Sequence, residues 1–156
     1  MTAAVNRILF VCTGNTCRSP MAAGIFRSLA KAHPTLRNVV VESAGIGALP
    51  DHPASAAAVE VMKGIWDISG HRSQTLGHAH LERSDLVLTM SQDHIFYVQA
   101  HHERANVRAL AEYVGMGKDD VPDPFGGSRE DYVRCRDHLK KLIEALVRRL
   151  DRDGTP

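Results

Sequence analysis

Arg7-Ile8-Leu9-Phe10-Val11-Cys12, continuing directly into Thr13-Gly14-Asn15-Thr16-Cys17-Arg18-Ser19-Pro20, is the stretch on which the fold turns. Its first six residues are a short apolar run with β-branched character, which reads as a strand. The residues after Cys12 are polar and contain a glycine. From Pro20 to His33 apolar side chains return at helical spacing, at Met21, Phe26, Leu29 and Ala30. The order is therefore strand, loop, helix.

The same alternation continues outward from this unit. Val39 to Glu42 and Leu86 to Thr89 read as further strands, Val107 to Leu110 as a fourth, with helices near Ser55 to Lys63 and Ser91 to Ala100 between them. A last helix is expected from about Arg129 to Leu150, because Tyr132, Cys135, Leu139, Leu142, Ile143, Leu146 and Leu150 make one apolar stripe. Strands alternating with helices imply right-handed crossovers and an α/β fold. The expectation is a single doubly wound domain over 1–156, with a four-stranded parallel sheet flanked by helices and ligands at the carboxyl ends of the strands. The loop after the first strand is such a place. Gly45 to Pro53 and Gly115 to Gly127 are too short for interdomain linkers and read as long loops.

With 156 residues, 44% of them apolar, the chain can bury a core without disulfides or metal. Nineteen lysines and arginines against 18 acids leave a net charge of +1, which supplies no field for nucleic acid or an anionic membrane surface. No apolar run approaches the roughly 20 residues of a membrane span. The opening MTAAVNRILFVC lacks a signal-type cleavage site, and three cysteines without framework spacing suit a reducing compartment, so a cytoplasmic protein is expected. A monomer is the default expectation.

The loop itself carries chemistry. A tight turn whose N–H groups converge, followed by a helix N-terminus, traps an anion, and Pro20 suits the first helical position because no N–H is needed there. Gly14 and Asn15 tolerate the left-handed backbone that such a turn requires. A cysteine at the base, Cys12, should ionise beside the helix end and Arg18 and act as a nucleophile. Arg18 can hold two phosphoryl oxygens in a bidentate fork, which lysine cannot. Ser19 can stabilise the thiolate. No Gly-Lys pair follows, so the segment is not a nucleotide-binding loop.

Attack by Cys12 also needs an acid for the leaving group and then a base for water. Asp123 is the candidate for both roles, in Val121-Pro122-Asp123-Pro124-Phe125-Gly126-Gly127, where two prolines stiffen the chain and Phe125 can cover a planar substrate group. Asp119 and Asp120 are rivals whose backbone nothing in the sequence fixes.

At these residues the chain resembles the low-molecular-weight protein tyrosine phosphatases, over nearly its whole length. The resemblance rests on Val11 to Pro20 (VCTGNTCRSP), Ser43-Ala44-Gly45, His71, Leu86 to Met90 (LVLTM) and Asp123-Pro124-Phe125. It implies phosphorylated protein substrates, inorganic phosphate as product, a phosphocysteine intermediate, and no cofactor. It implies Cys12 as nucleophile, Arg18 as phosphate clamp, Asp123 as acid and base, Asn15, Ser19, Ser43 and His71 as support, and Thr13, Gly14, Thr16 and Cys17 as the rest of the substrate loop. It further implies that Cys17 can trap an oxidised Cys12 in a disulfide. Within the family, Thr16 and Asp123 to Ser128 resemble the bacterial protein arginine phosphatases. A threonine where phosphotyrosine members more often carry isoleucine gives space and a hydroxyl for a guanidinium, so the substrate stays open between phosphoarginine and phosphotyrosine with a slight lean to phosphoarginine. Ile46 to Asp51 lacks the aromatic wall of many phosphotyrosine members, and Ala23 stands where the family usually has glutamate.

Other features read as structural. The His78/His80 and His101/His102 pairs lack a cysteine or carboxylate set at ligand spacing, so no metal is expected. Cys135 belongs to the apolar face of the last helix, and Arg148, Arg149, Asp151, Arg152 and Asp153 to its solvated, frayed end. Arsenate reduction on the same loop would need two further relay cysteines, and Leu81 to Ala100 holds none.

Overall fold

A computed structural model describes residues 4–102 and 106–153. Four parallel strands, β1 (Arg7–Cys12), β2 (Val40–Gly45), β3 (Leu86–Thr89) and β4 (Val107–Ala109), lie in the order β2-β1-β3-β4. Because β1 is central and its neighbours are reached in opposite directions, the sheet switches winding beside its carboxyl end. Open parallel sheets bind ligands at such a switch point, and here the chain leaves Cys12.

Side chains alternate along β1 and seed two cores. Ile8, Phe10 and Cys12 face one side of the sheet, packed with Met21, Ile25 and Phe26 of α1 (Arg18–Ala30) and with the stripe Tyr132, Cys135, Leu139, Leu142, Ile143, Leu146 and Leu150. Leu9 and Val11 face the other side with Ala44, Leu81, Val87, Val98 and Val107. Burial on both faces explains why the run lacks polar alternation.

Six helices complete the described chain: α1, α2 (Ala56–Val61), α3 (His78–Arg83), α4 (Gln92–His101), α5 (Leu110–Tyr113) and α6 (Arg129–Asp153). Ser55 caps α2 by accepting from Ala58 N at 3.3 Å. Ser128 and Asp131 form a reciprocal cap on α6, with Asp131 N to Ser128 Oγ at 3.2 Å and Ser128 N to Asp131 Oδ2 at 2.9 Å.

Several sequence expectations shift. α1 opens at Arg18, two residues earlier than expected, so Pro20 is the third helical residue; the first turn still needs no N–H from it, and the first helical bond runs from Met21 N to Cys17 O at 3.1 Å. α3 buries only Leu81 and α5 only the adjacent Leu110 and Ala111, so neither shows a helical period and the sequence does not announce them. The last helix does not fray at Leu150: it runs to Asp153, with the Arg149 guanidinium stacked 3.8 Å from the Tyr113 ring centre and hydrogen-bonded to Tyr113 O. His80 is not simply solvated, since its Nδ1 accepts from Gly77 N at 3.0 Å and caps α3. No described helix is long and apolar enough to cross a membrane.

Candidate active site

Between β1 and α1 the chain curls around the Cys12 sulfur. Asn15 takes a left-handed backbone (φ 56°), as expected, whereas Gly14 does not; the missing Gly14 side chain leaves the exposed rim of the loop open. Asn15 N donates to Cys12 Sγ at 3.2 Å and Ser19 Oγ lies 2.8 Å from the same sulfur.

A fully buried amide orients this pair. Asn15 Oδ1 accepts from Gln74 N at 2.9 Å, which fixes the amide; its Nδ2 then donates to Ser19 Oγ at 2.8 Å and Ser43 Oγ at 2.9 Å. Ser19 Oγ, already accepting from Asn15, has its own hydrogen left for the sulfur. His71 Nε2 supports the same residue through Asn15 O at 2.7 Å, and burial holds the His71 pKa low, so the ring is a neutral donor there.

Burial opposes the groups that favour ionisation of Cys12. Its side chain is almost wholly enclosed, and that desolvation pushes the thiol pKa up, against Ser19, Arg18 and the Asn15 N–H, which pull it down. The sequence displays the helix end and the arginine but not the loss of water around the sulfur. The polar contacts limit that rise.

Arg18 is buried along α1 and pinned by Nη1 to Val121 O at 3.1 Å. Its Nη2 lies 3.5 Å from Thr13 Oγ1 and 3.6 Å from Asp123 Oδ2, facing the loop centre. Asp123 is half exposed. Its Oδ1 accepts from Phe125 N at 3.1 Å, an Asx turn that leaves Oδ2 aimed at the site. Asp120 is tied elsewhere, accepting from Gln92 N at 2.9 Å at the start of α4, which separates it from Asp123 as a candidate acid.

A cavity of about 180 Å³ is lined by Cys12 to Arg18, Asp123 and Phe125. Phe125 stands at its rim, 73% exposed, and Thr16 lies on its wall. Cys17 is buried beneath the loop, 3.4 Å from both Ser55 Oγ and Tyr132 Oη; all three cysteines are free thiols. Burial pushes the Cys135 thiol up to about 12, which suits the core role expected for it.

Two polar residues escaped the sequence reading. Gln74 fixes the Asn15 amide, and His94, 3% exposed, lies 3.0 Å from Thr13 Oγ1 through Nε2 and 3.0 Å from Ser91 Oγ through Nδ1. A lone histidine at the start of a weakly patterned helix gives no signal of its own.

A thiol at the centre of an anion-binding loop, with an arginine fork beside it and a carboxylate across the opening, defines a cysteine-dependent phosphatase. The chain belongs to the low molecular weight phosphotyrosine protein phosphatase family, whose model matches residues 7–155. It is similar to a protein-arginine-phosphatase of Bacillus subtilis, 43% identical over 148 residues covering 94% of this chain and 97% of that one. It is also similar to the low molecular weight protein-tyrosine-phosphatase PtpB of Staphylococcus aureus, at 37% over 141 residues, 90% and 96% of the two chains. Among solved structures, a cysteine-to-serine mutant of the YwlE arginine phosphatase with a phosphorylated active-site serine superposes with a TM-score of 0.87 at 39% identity, covering 94% of this chain and 97% of that one.

Proposed function

We propose that this chain removes the phosphoryl group from phosphoarginine in proteins. The observation that carries the reading is the cluster at one opening: the Cys12 sulfur held by Ser19 and Asn15, Arg18 beside it, and Asp123 Oδ2 3.6 Å from Arg18 Nη2.

Cys12 Sγ, as thiolate, attacks phosphorus while the loop N–H groups and Arg18 hold the equatorial oxygens, whose charge grows in the transition state. An S–P bond forms and the P–N bond to the guanidine breaks, with Asp123 giving its proton to the departing nitrogen. Asp123, now a carboxylate, takes a proton from water. That oxygen attacks phosphorus, the S–P bond breaks, inorganic phosphate leaves and the thiolate is restored, with Ser19 donating to the sulfur in both steps.

Thr16 on the cavity wall supports a guanidine leaving group, to which its hydroxyl can bond while Asp123 holds the proton it will donate. The arginine-phosphatase name of the 43% identical relative points the same way. Phe125 at the rim favours phosphotyrosine as the second reading, because its ring can stack on a phenol. The proposed enzyme is one monomeric domain acting in the cytoplasm, where its three thiols stay reduced.

The test is kcat/KM on matched phosphoarginine and phosphotyrosine peptides, for the wild type and Thr16→Ile. We expect the wild type to favour phosphoarginine and the variant to shift the ratio at least about tenfold towards phosphotyrosine, the scale of one lost hydrogen bond. An unchanged ratio would remove Thr16 as the selector, and a wild-type preference for phosphotyrosine would replace the reading with the second one.

A further inference from the structure

The phosphate loop is gripped from two sides. On the β2 side, His71, Gln74 and Ser43 all bond to Asn15. On the β3 side, the ring of His94 lies between Thr13 Oγ1 and Ser91 Oγ, 3.0 Å from each. His94 is one of seven buried polar or charged side chains among the described residues, and four of the others, Asn15, Arg18, Ser19 and Ser43, belong to the site already described.

The turn that carries His94 is also where the acid loop is tied. Val121 N donates to Met90 O at 2.9 Å, Gln92 N donates to Asp120 Oδ1 at 2.9 Å, and Arg18 Nη1 donates to Val121 O at 3.1 Å. The segment from Met90 to His94 therefore touches the nucleophile loop through Thr13 and the acid loop through Asp120 and Val121. A hydroxyl on an exposed loop residue otherwise rotates freely between staggered positions. Thr13 does not, because His94 and Arg18 both reach its oxygen.

We propose that His94 is a positioning residue for phosphoryl transfer: its Nε2–H donates to Thr13 Oγ1, so that the threonine accepts from His94 and Arg18 and turns its own hydrogen towards the bound phosphoryl group. In this tautomer Ser91 Oγ–H donates to the Nδ1 lone pair, which satisfies both ring nitrogens of a buried neutral imidazole. Arg18 faces the ring as a cation, with Asp93, Asp120 and Asp123 as the acidic groups around it, and burial with Arg18 keeps the ring neutral, its pKa brought down to about 4. The inference deepens the phosphatase reading and rests on it.

The test is a double-mutant cycle on kcat/KM with a phosphopeptide, using His94→Leu, Thr13→Val and the pair. Each single change is expected to lower kcat/KM about tenfold, and the double variant to lose about tenfold, not about a hundredfold, since both remove one interaction. A conservative series separates positioning from packing. In His94→Gln the side-chain amide reaches the place of Nε2, and that variant is expected to stay within about threefold of wild type, well inside the loss that one missing hydrogen bond brings. In His94→Asn the amide reaches only the place of Nδ1, and activity is expected to fall with that of His94→Leu. Losses that multiply in the cycle, or equal activity of the Gln and Asn variants, would overturn the inference. Should His94→Leu fail to fold, the Gln and Asn comparison with Thr13→Val decides alone. A wild type without phosphopeptide hydrolysis would sink the phosphatase reading instead, which keeps the two failures distinct.

Discussion

Gly45, the last residue of β2, offers a sharp perturbation of the site from outside it. A Cβ built there lies 2.5 Å from Thr13 O, 3.0 Å from Asn15 N and 2.9 Å from Ala48 Cβ. Two of these neighbours are loop backbone, which cannot swing aside as a flexible side chain would. Restoring an ordinary contact of 3.4 Å to Thr13 O requires a displacement of about 0.9 Å, the difference from 2.5 Å, one residue from the nucleophile. Misplacement on the order of 1 Å costs about a hundredfold in rate, and overpacking of this kind about 1–3 kcal/mol in stability. Gly45→Ala should thus lower kcat/KM by roughly a hundredfold while Tm falls by about 3–10 °C. Steady-state kinetics with thermal unfolding on the same preparation measures both. Gly70→Ala is the control, since nothing lies within 4 Å of its Cβ, and it should leave both unchanged. Wild-type turnover in Gly45→Ala would refute the claim that the end of β2 sets the shape of the loop.

Three further outcomes follow from the same geometry. Asp123→Ala should lower turnover on phosphopeptides by about 10²–10⁴, as lost acid catalysis does, and a loss under tenfold would move the acid elsewhere. Burial raises the Cys12 thiol pKa and Ser19 opposes it most, so Ser19→Ala should raise the pH midpoint of Cys12 alkylation by iodoacetamide; an unmoved midpoint would deny Ser19 its role at the sulfur. Glu42, held by Arg83 Nε at 2.8 Å and by Arg7 Nη2 at 3.1 Å, has its carboxyl pulled down to about 2 from an ordinary 4.5. A depressed carboxyl stabilises the fold above its unfolded value and loses that contribution as pH falls from 4.5 through 2. Because the two arginines are 39% and 40% exposed, screening limits the gain to roughly 1–2 kcal/mol. Urea unfolding of the wild type and Glu42→Gln should therefore differ at neutral pH and converge in acid, and a constant gap would contradict the ion-pair account.

The parts of the site that the sequence displays are those whose chemistry is local. Cys12, Asn15, Arg18 and Ser19 lie on one strand-loop-helix unit, so spacing alone brings them together, and Pro122 and Pro124 mark the neighbourhood of Asp123 by stiffening the chain on either side of it. His71, Gln74 and His94 reach the loop from segments 56 to 81 residues away in the chain, through single hydrogen bonds that leave no periodicity behind. His71 stands out only by resemblance, and His94 not at all. Cys12 shows a second limit: the helix end and arginine that favour its thiolate are visible in the sequence, whereas the desolvation that opposes them exists only once Phe10, Met21 and the α6 stripe have packed. The short helices α3 and α5 illustrate the same point, for α3 buries only Leu81 and α5 only the adjacent Leu110 and Ala111, so neither shows the helical spacing that Ala58 and Val61 give α2.

On the proposed route Cys12 carries the phosphoryl group between two steps, the second of which needs Asp123 as base. With p-nitrophenyl phosphate the leaving group departs without an acid, so Asp123→Asn should complete the first step and stall in the second. Rapid acid quench and peptide mass spectrometry of that variant should find one phosphoryl group on the peptide containing Cys12, and none when Cys12→Ala is combined with Asp123→Asn. Accumulation of phosphoryl on another residue, or a burst of p-nitrophenol with no labelled peptide, would contradict the account.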